Sequence, residues 1–322
     1  MKKLTYLVSA IAAGLFTSAH ADVSVSGSAT LAYQSAGSDT KLQNGGAVSF
    51  DLSTTTDSGM TVSTSAGITL SASATGAGDT TSANGVGGVV TGWDNLTFAT
   101  GGVTLTVGRD VGVPDGVGRV GGLVSGFTEI NSDAITNETG LTDDEGAGVS
   151  ISTSLGSAGL TVVYVANSDP LANAGDIADS GATGTGVELT TAMGDVGVTV
   201  GYATYSGPDG LVDTDDTETA AAVTYASSMG TISAGYTAST GALDGNQVCI
   251  AYSMDLDGAT SLGIGYTSAN VNDQSGRATD IVISRSLGGG MSVFAELRNT
   301  SGDVAPAEGE NSTMAIGTSV SF

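Results

Sequence analysis

The chain of 322 residues carries 33 Asp and Glu against eight Lys and Arg, a formal net charge of −25, which is the wrong sign for binding nucleic acid or an anionic lipid surface. A single cysteine, Cys249, excludes an internal disulfide, and a single histidine leaves the chain short of the commonest general base and zinc ligand. Fifty glycines and 5% aromatic residues fit a disordered chain on composition alone, so periodicity has to decide.

Residues 1–21, "MKKLTYLVSAIAAGLFTSAHA", set two lysines before an apolar stretch from Leu4 to Phe16 and close on Ala19-His20-Ala21. These are the three regions of a secretory signal peptide, so the mature chain is expected to begin at Asp22. The apolar core is shorter than the roughly 20 residues a membrane-spanning helix needs. Removing the segment takes away Lys2, Lys3 and His20 and leaves six bases (Lys41, Arg109, Arg119, Arg277, Arg285, Arg298) against 33 acids, a net charge of −27. With no histidine left to activate its thiol, Cys249 reads as a small strand residue, not a nucleophile.

From there apolar side chains recur at every second position, the period of a β-strand with one apolar face. The pattern predicts sixteen strands, near 22–35, 46–56, 60–74, 88–99, 102–110, 146–156, 159–168 and 185–193 in the first half. The second half adds 196–206, 218–227, 231–240, 246–255, 259–271, 277–287, 291–300 and 311–322. Val48, Phe50 and Leu52 share one face of the second strand; Val248, Ile250, Tyr252 and Met254 do so in "QVCIAYSM", and Met291, Val293, Ala295 and Leu297 in "MSVFAELR". Disordered chains do not hold such alternation from end to end. The connections alternate in kind, with glycine-bearing tight turns ("TDSG", "TGG", "GSAG", "SSMG", "DLDG", "GGG") separated by long acidic loops rich in Gly and Ser.

Short turns at one end, long loops at the other and an even number of strands of about ten residues are what a transmembrane β-barrel requires. A sheet crosses hydrocarbon only if it closes on itself, because every backbone N–H and C=O needs a partner within the protein. The competing fold, a soluble β-sandwich or solenoid, should bury large residues on its inner face. Here the face opposite the apolar stripe carries Ser49, Asp51 and Ser53 on one strand and Ser292, Glu296 and Arg298 on another, which is a wetted face. With sixteen strands the interior is wide enough for an aqueous channel. By parity Arg298 lines it beside Glu296, Arg285 faces outward near a turn with Ile281 and Ile283, and Arg277 sits at a strand mouth. Eight tyrosines (Tyr33, Tyr164, Tyr202, Tyr205, Tyr225, Tyr236, Tyr252, Tyr266) lie in or at the ends of the apolar stripes; a bilayer interface and plain β propensity account for that equally well.

The signal peptide, the sixteen alternating strands and the terminal "MAIGTSVSF" resemble the general trimeric porins of Gram-negative outer membranes, of the Rhodobacter-like type, over essentially the whole mature chain. The resemblance implies an all-β, 16-stranded antiparallel transmembrane barrel and a homotrimer in contact with outer-membrane lipid and lipopolysaccharide. It also implies that the last strand, ending on Phe322, is read by the outer-membrane assembly machinery. The long segment from Val111 to Glu145, after the fifth strand, occupies the place of the porin third loop, which folds into the lumen. On that resemblance Asp115, Arg119, Glu129 and Asp133 become pore-constriction residues, with Asp51, Glu296 and Arg298 on the wall. The chain departs from the family in lacking the basic cluster that normally opposes that loop.

The function expected is passive, weakly cation-selective diffusion of ions and small hydrophilic solutes, and neither enzymatic activity nor a tightly bound cofactor is expected. The competing function is a non-channel barrel, an adhesin or structural surface protein whose long loops bind. The acid clusters "VDTDDTE" (Val212–Glu218) and "TDDE" (Thr142–Glu145) are of the kind that holds calcium loosely or bridges through divalent ions to lipid phosphates, but neither completes a calcium-loop pattern.

Overall fold

The structure, a computed structural model, describes residues 21–36, 39–74, 87–91, 95–112, 145–166, 183–206, 215–240, 244–271, 274–302 and 312–322. Its elements are β1 (Ala21–Ala36), β2 (Asp39–Thr55), β3 (Thr61–Ala74), β4 (Gly87–Thr91), β5 (Asn95–Thr100), β6 (Val103–Gly112), β7 (Glu145–Leu155), β8 (Ala158–Ala166) and β9 (Thr183–Met193). They continue with β10 (Val196–Ser206), β11 (Asp215–Ser227), β12 (Gly230–Thr240), β13 (Gly245–Asp255), β14 (Thr260–Val271), β15 (Gln274–Gly288), β16 (Met291–Gly302) and β17 (Ser312–Ser321). Apart from β4 and β5, each strand pairs antiparallel with its neighbour in sequence, and β1 pairs with β2 on one side and β17 on the other, which closes the sheet. Both β4 and β5 pair with β3, so they are two pieces of one stave and the ring has sixteen staves among the described residues. Closure removes the open edges that hydrocarbon does not tolerate.

Two departures from the sequence reading are the largest. The strand expected at 88–99 is divided, with 92–94 outside the described residues. The second strand begins at Asp39 instead of residue 46, because Leu31 to Ala36 of β1 offer unbroken pairing to Asn44 through Asp39. Residues 41–46, "KLQNGG", lack alternation and carry two poor strand formers, Gly45 and Gly46, so periodicity misses a strand that the partner's backbone supplies. The connection from β1 to β2 is therefore short although it lies at the loop end, as is that from β14 to β15. At the opposite end, Gly101 and Gly102 of the turn from β5 to β6 both take left-handed φ values of 57° and 81°, a backbone that a side chain would strain.

The exposure pattern inverts that of a soluble protein. The large apolar side chains are the exposed ones: Val23 is 61% exposed, Ile250 50% and Ile316 55%, while Cys249 and Ala251 on either side of Ile250 are 2% and 3%. Cross-strand register carries the outward stripe from strand to strand, for instance Tyr225, Ile232, Tyr252, Ile264, Ile281, Leu297, Met314. Water does not tolerate an apolar belt this continuous, so its solvent is hydrocarbon. Every described tyrosine side chain faces outward with this belt, Tyr33, Tyr164, Tyr202, Tyr236 and Tyr266 toward the loop end and Tyr225 and Tyr252 at the turn end. Among the described residues no helix is long and apolar enough to cross a membrane; the strands do.

The inner face is less uniformly small and polar than its composition suggests. Val282 and Phe294 point inward and are buried, as are Val163 and Val165 of β8. Phe294 lies over Gly317, directly opposite in register, with Ala32 and Ala315 beside it.

Candidate pore lining and constriction

The wall is set by strand parity. Asp51 alternates with the outward Phe50 and Leu52 of β2 and is exposed on the inner side. On β16, Glu296 and Arg298 alternate with the outward Ala295 and Leu297; Glu296 is 3% exposed and Arg298 is intermediate. Asp280 of β15 stands directly across from Arg298 and shares its face. Thus the inward arginine is bracketed by two carboxylates, Asp280 across the ladder and Glu296 two residues back along its own strand. Glu188 on β9 and Glu218 on β11 point the same way. Sequence reasoning did not single out Glu188 or Asp280 and met Glu218 only as the end of the acid cluster "VDTDDTE", although each alternates with outward residues such as Val187, Thr219 and Ile281 and parity alone finds them.

Taken together, the charges are sorted by face. In the strands, every carboxylate whose side chain is described (Asp22, Asp51, Glu188, Glu218, Asp255, Asp280, Glu296) lies on the inner face. The charged side chains described on the outer face are two arginines, Arg277 and Arg285. Arg285 borders the turn end, where its Nη1 donates to Asp257 Oδ2 at 2.9 Å. That guanidinium, helped by donation from the Ala259 and Thr260 backbone N–H groups and the Thr260 hydroxyl, holds the Asp257 carboxyl well below the usual carboxylate range. Cys249 is also part of the inner wall, its sulfur accepting from Gln247 Nε2 at 3.3 Å and Thr267 Oγ1 at 3.6 Å.

Asp115, Arg119, Glu129 and Asp133 lie outside the described residues, but the strand that leads to them carries a change of face. In β6, Val103 and Val107 point outward with Leu105 between them; a bulge in the pairing with β7, between Gly108 and Val111, then inserts one extra residue. Val111 consequently points inward, is 3% exposed, and packs on Val163, Val165 and Ala203 of the inner wall. Gly148 makes room for it: a Cβ there would stand 3.3 Å from Val111 Cβ and 2.5 Å from the Tyr164 carbonyl oxygen.

At the other end of the chain, Phe322 extends the seam between first and last strands. Its N–H donates to the Gly27 carbonyl at 3.0 Å, and the Gly27 N–H donates to its carbonyl at 2.9 Å. The ring lies across Gly27 on the outer wall and is 73% exposed.

Of the acid clusters, Asp215–Glu218 form the start of β11 with Glu218 buried inward, and the remainder of "VDTDDTE" lies outside the described residues. Among the described residues no group of three His, Cys, Asp or Glu is disposed to hold a metal ion.

A family model described as Gram-negative porin matches residues 8–305. The chain belongs to the Gram-negative porin family. This porin is therefore a channel of the Gram-negative outer membrane and not an enzyme. Solved porins share the fold at low identity. Salmonella typhi OmpF in complex with daunomycin superposes with a TM-score of 0.74 at 14% identity, covering 93% of this chain and 97% of that one. An anion-selective porin from Comamonas acidovorans gives 0.66 at 12% identity, and a Rhodopseudomonas blastica porin variant gives 0.65 at 16%; each covers 94% of this chain and 100% of the other. No curated protein sequence matches this porin. That an anion-selective porin has this architecture means ion preference has to be argued from the side chains of the chain at hand.

Proposed function

We propose that this porin passes small hydrophilic solutes by passive diffusion with a weak preference for cations. The observation that carries the reading is the sorting of charge: every strand carboxylate whose side chain is described lies on the inner face. Inward acids raise the local concentration of cations and exclude anions through their summed potential, with no single carboxylate pair required. Arg298, between Asp280 and Glu296, leaves that patch of wall net negative when both acids are ionised.

The pore is narrowed by the segment after β6, with Asp115, Arg119, Glu129 and Asp133 at the constriction; the inward turn of Val111 onto the β8 wall supports this course. Residues 1–21 act as a cleaved signal peptide, consistent with an outer-membrane destination. The functional unit is a homotrimer, as in the porins this chain resembles, embedded in outer-membrane lipid and lipopolysaccharide. Phe322, on the exposed outer wall beside the seam, serves as the handle for the assembly machinery. Loop acids outside the strands hold divalent cations such as calcium only loosely.

Planar-bilayer recording tests the reading. Stepwise openings are expected, with a reversal potential directed toward cations in a salt gradient. The preference should weaken as mean salt rises from about 0.1 M to 1 M, where the screening length falls from about 10 Å to about 3 Å. Asp51→Asn combined with Glu296→Gln should reduce it further. Silent membranes, or a reversal potential unmoved by those substitutions and by salt, overturn the proposal.

A further inference from the structure

Along the inner face of β8 to β11 the wall changes from buried to open along one line. Val163, Gly186, Ala203 and Glu218 stand in register across these strands, and all four are buried. Two residues nearer the turns, the row is Thr161, Glu188, Gly201 and Ala220, with the first two partly exposed and the last two buried. A further two residues on, Gly159, Thr190, Thr199 and Ala222 are all partly exposed. On this arc water therefore reaches the wall from the turn end up to the row of Glu188 and no further, so the free cross-section of the lumen shrinks at that row.

The described inward strand acids fall into three groups by the same criterion. Asp22, Asp51 and Asp255 are exposed on open wall. Glu218, Asp280 and Glu296 are buried, the last two beside Arg298. Glu188 is the one among them that stands on the boundary. In its row Gly201 has no side chain, Ala220 a single methyl and Thr161 a short branch, so the Glu188 carboxylate has the longest reach from the wall. We infer that Glu188 is the charge-selecting residue of the channel, set on the turn-side lip of the narrow section, where it draws in cations, bare or carried as ammonium groups on small solutes. In a wide lumen most ions pass any one wall acid at more than the screening length, about 10 Å at 0.1 M salt, whereas at a narrowing every ion passes close to the charge. The inference rests on the cation preference proposed above and assigns most of it to one side chain.

Reversal potentials in planar bilayers at about 0.1 M salt compare Glu188→Gln with Glu218→Gln and Asp51→Asn, each of which removes one charge with little change of shape. Glu188→Gln should abolish about half or more of the cation-directed potential, and each of the others distinctly less. In a Cys249→Ser background, Glu188→Cys treated from the turn side with a sulfonate-bearing methanethiosulfonate should regain the lost potential, and a trimethylammonium-bearing reagent should drive it toward anions. An unaltered barrel without cation preference overturns the channel reading and this assignment together. A cation-selective barrel in which Glu188→Gln shifts the potential no further than Asp51→Asn, or in which neither reagent moves the potential of Glu188→Cys, overturns the assignment alone.

Discussion

Ile250→Arg puts a charge where the geometry demands hydrocarbon. Ile250 is the middle one of five outward positions on β13, between Val248 and Tyr252, and its register partners Ala234 and Tyr266 face the same way. It is half exposed, and that exposed half is surface in contact with acyl chains. An arginine at the bilayer midplane of a transmembrane barrel costs about 2–4 kcal/mol, a factor of about 30 to 1,000 in the folding equilibrium. Asp51→Arg delivers the same side chain to the inner face, where Asp51 is already exposed to the lumen, and should change stability by less than about 0.5 kcal/mol while moving the reversal potential toward anions. Urea titration of both variants folded into lipid vesicles, followed by the gel mobility of the unheated barrel, compares the two costs directly. Equal costs, or a larger one for Asp51→Arg, would mean that the apolar stripe does not face lipid, and the channel would fall with it.

A β-branched side chain at Gly317 should strain the inner wall, since its Cβ would stand 2.5 Å from Phe294 Cζ and 2.7 Å from the Leu31 carbonyl oxygen. Gly317→Val is expected to lose about 1–3 kcal/mol in the same titration, and adding Phe294→Ala should recover only the share due to the ring, because the backbone oxygen stays. Full recovery, or no loss at all, contradicts that packing. The Asp257–Arg285 pair predicts an acid dependence. Because the folded carboxyl is held below its ordinary value of about 3.9, its stabilisation is complete above about pH 4 and is lost as the pH falls toward the lower folded value. Unfolding midpoints of the unaltered barrel and Arg285→Gln should therefore differ at neutral pH and converge below about pH 4; a gap that stays constant down to pH 2 excludes the linkage.

Most of the barrel is legible in the sequence because a transmembrane strand obeys a strict rule of two. "TSLGIGY" displays the rule without interruption, and Leu262, Ile264, Met291 and Val293 face outward as their spacing predicts. Arg285 shares that outward face with Ile281 and Ile283, also as parity requires. The rule fails where both faces are apolar. In "LTVVYVA", Val162 and Tyr164 point outward while Val163 and Val165 point inward, and periodicity cannot tell one valine from the next. Phe294 is the plainest instance: its even position beside Ser292 and Glu296 sends it inside, while its chemistry suggests outside. The lining acids Glu188 and Asp280 lie within reach of parity, but nothing in their local sequence marks them as wall residues. The expected constriction residues Asp115, Arg119, Glu129 and Asp133 are least legible, because the sequence of 113–144 has no alternation and so carries no geometric rule to read.

The bulge between Gly108 and Val111 exchanges inside for outside by the insertion of one residue. A strand whose parity is reset at a fixed point can gain or lose residues beyond that point without turning a greasy side chain toward water or a polar one toward fat. The chain past Val111 and the lipid-bearing face of β6 can thus change composition independently of each other.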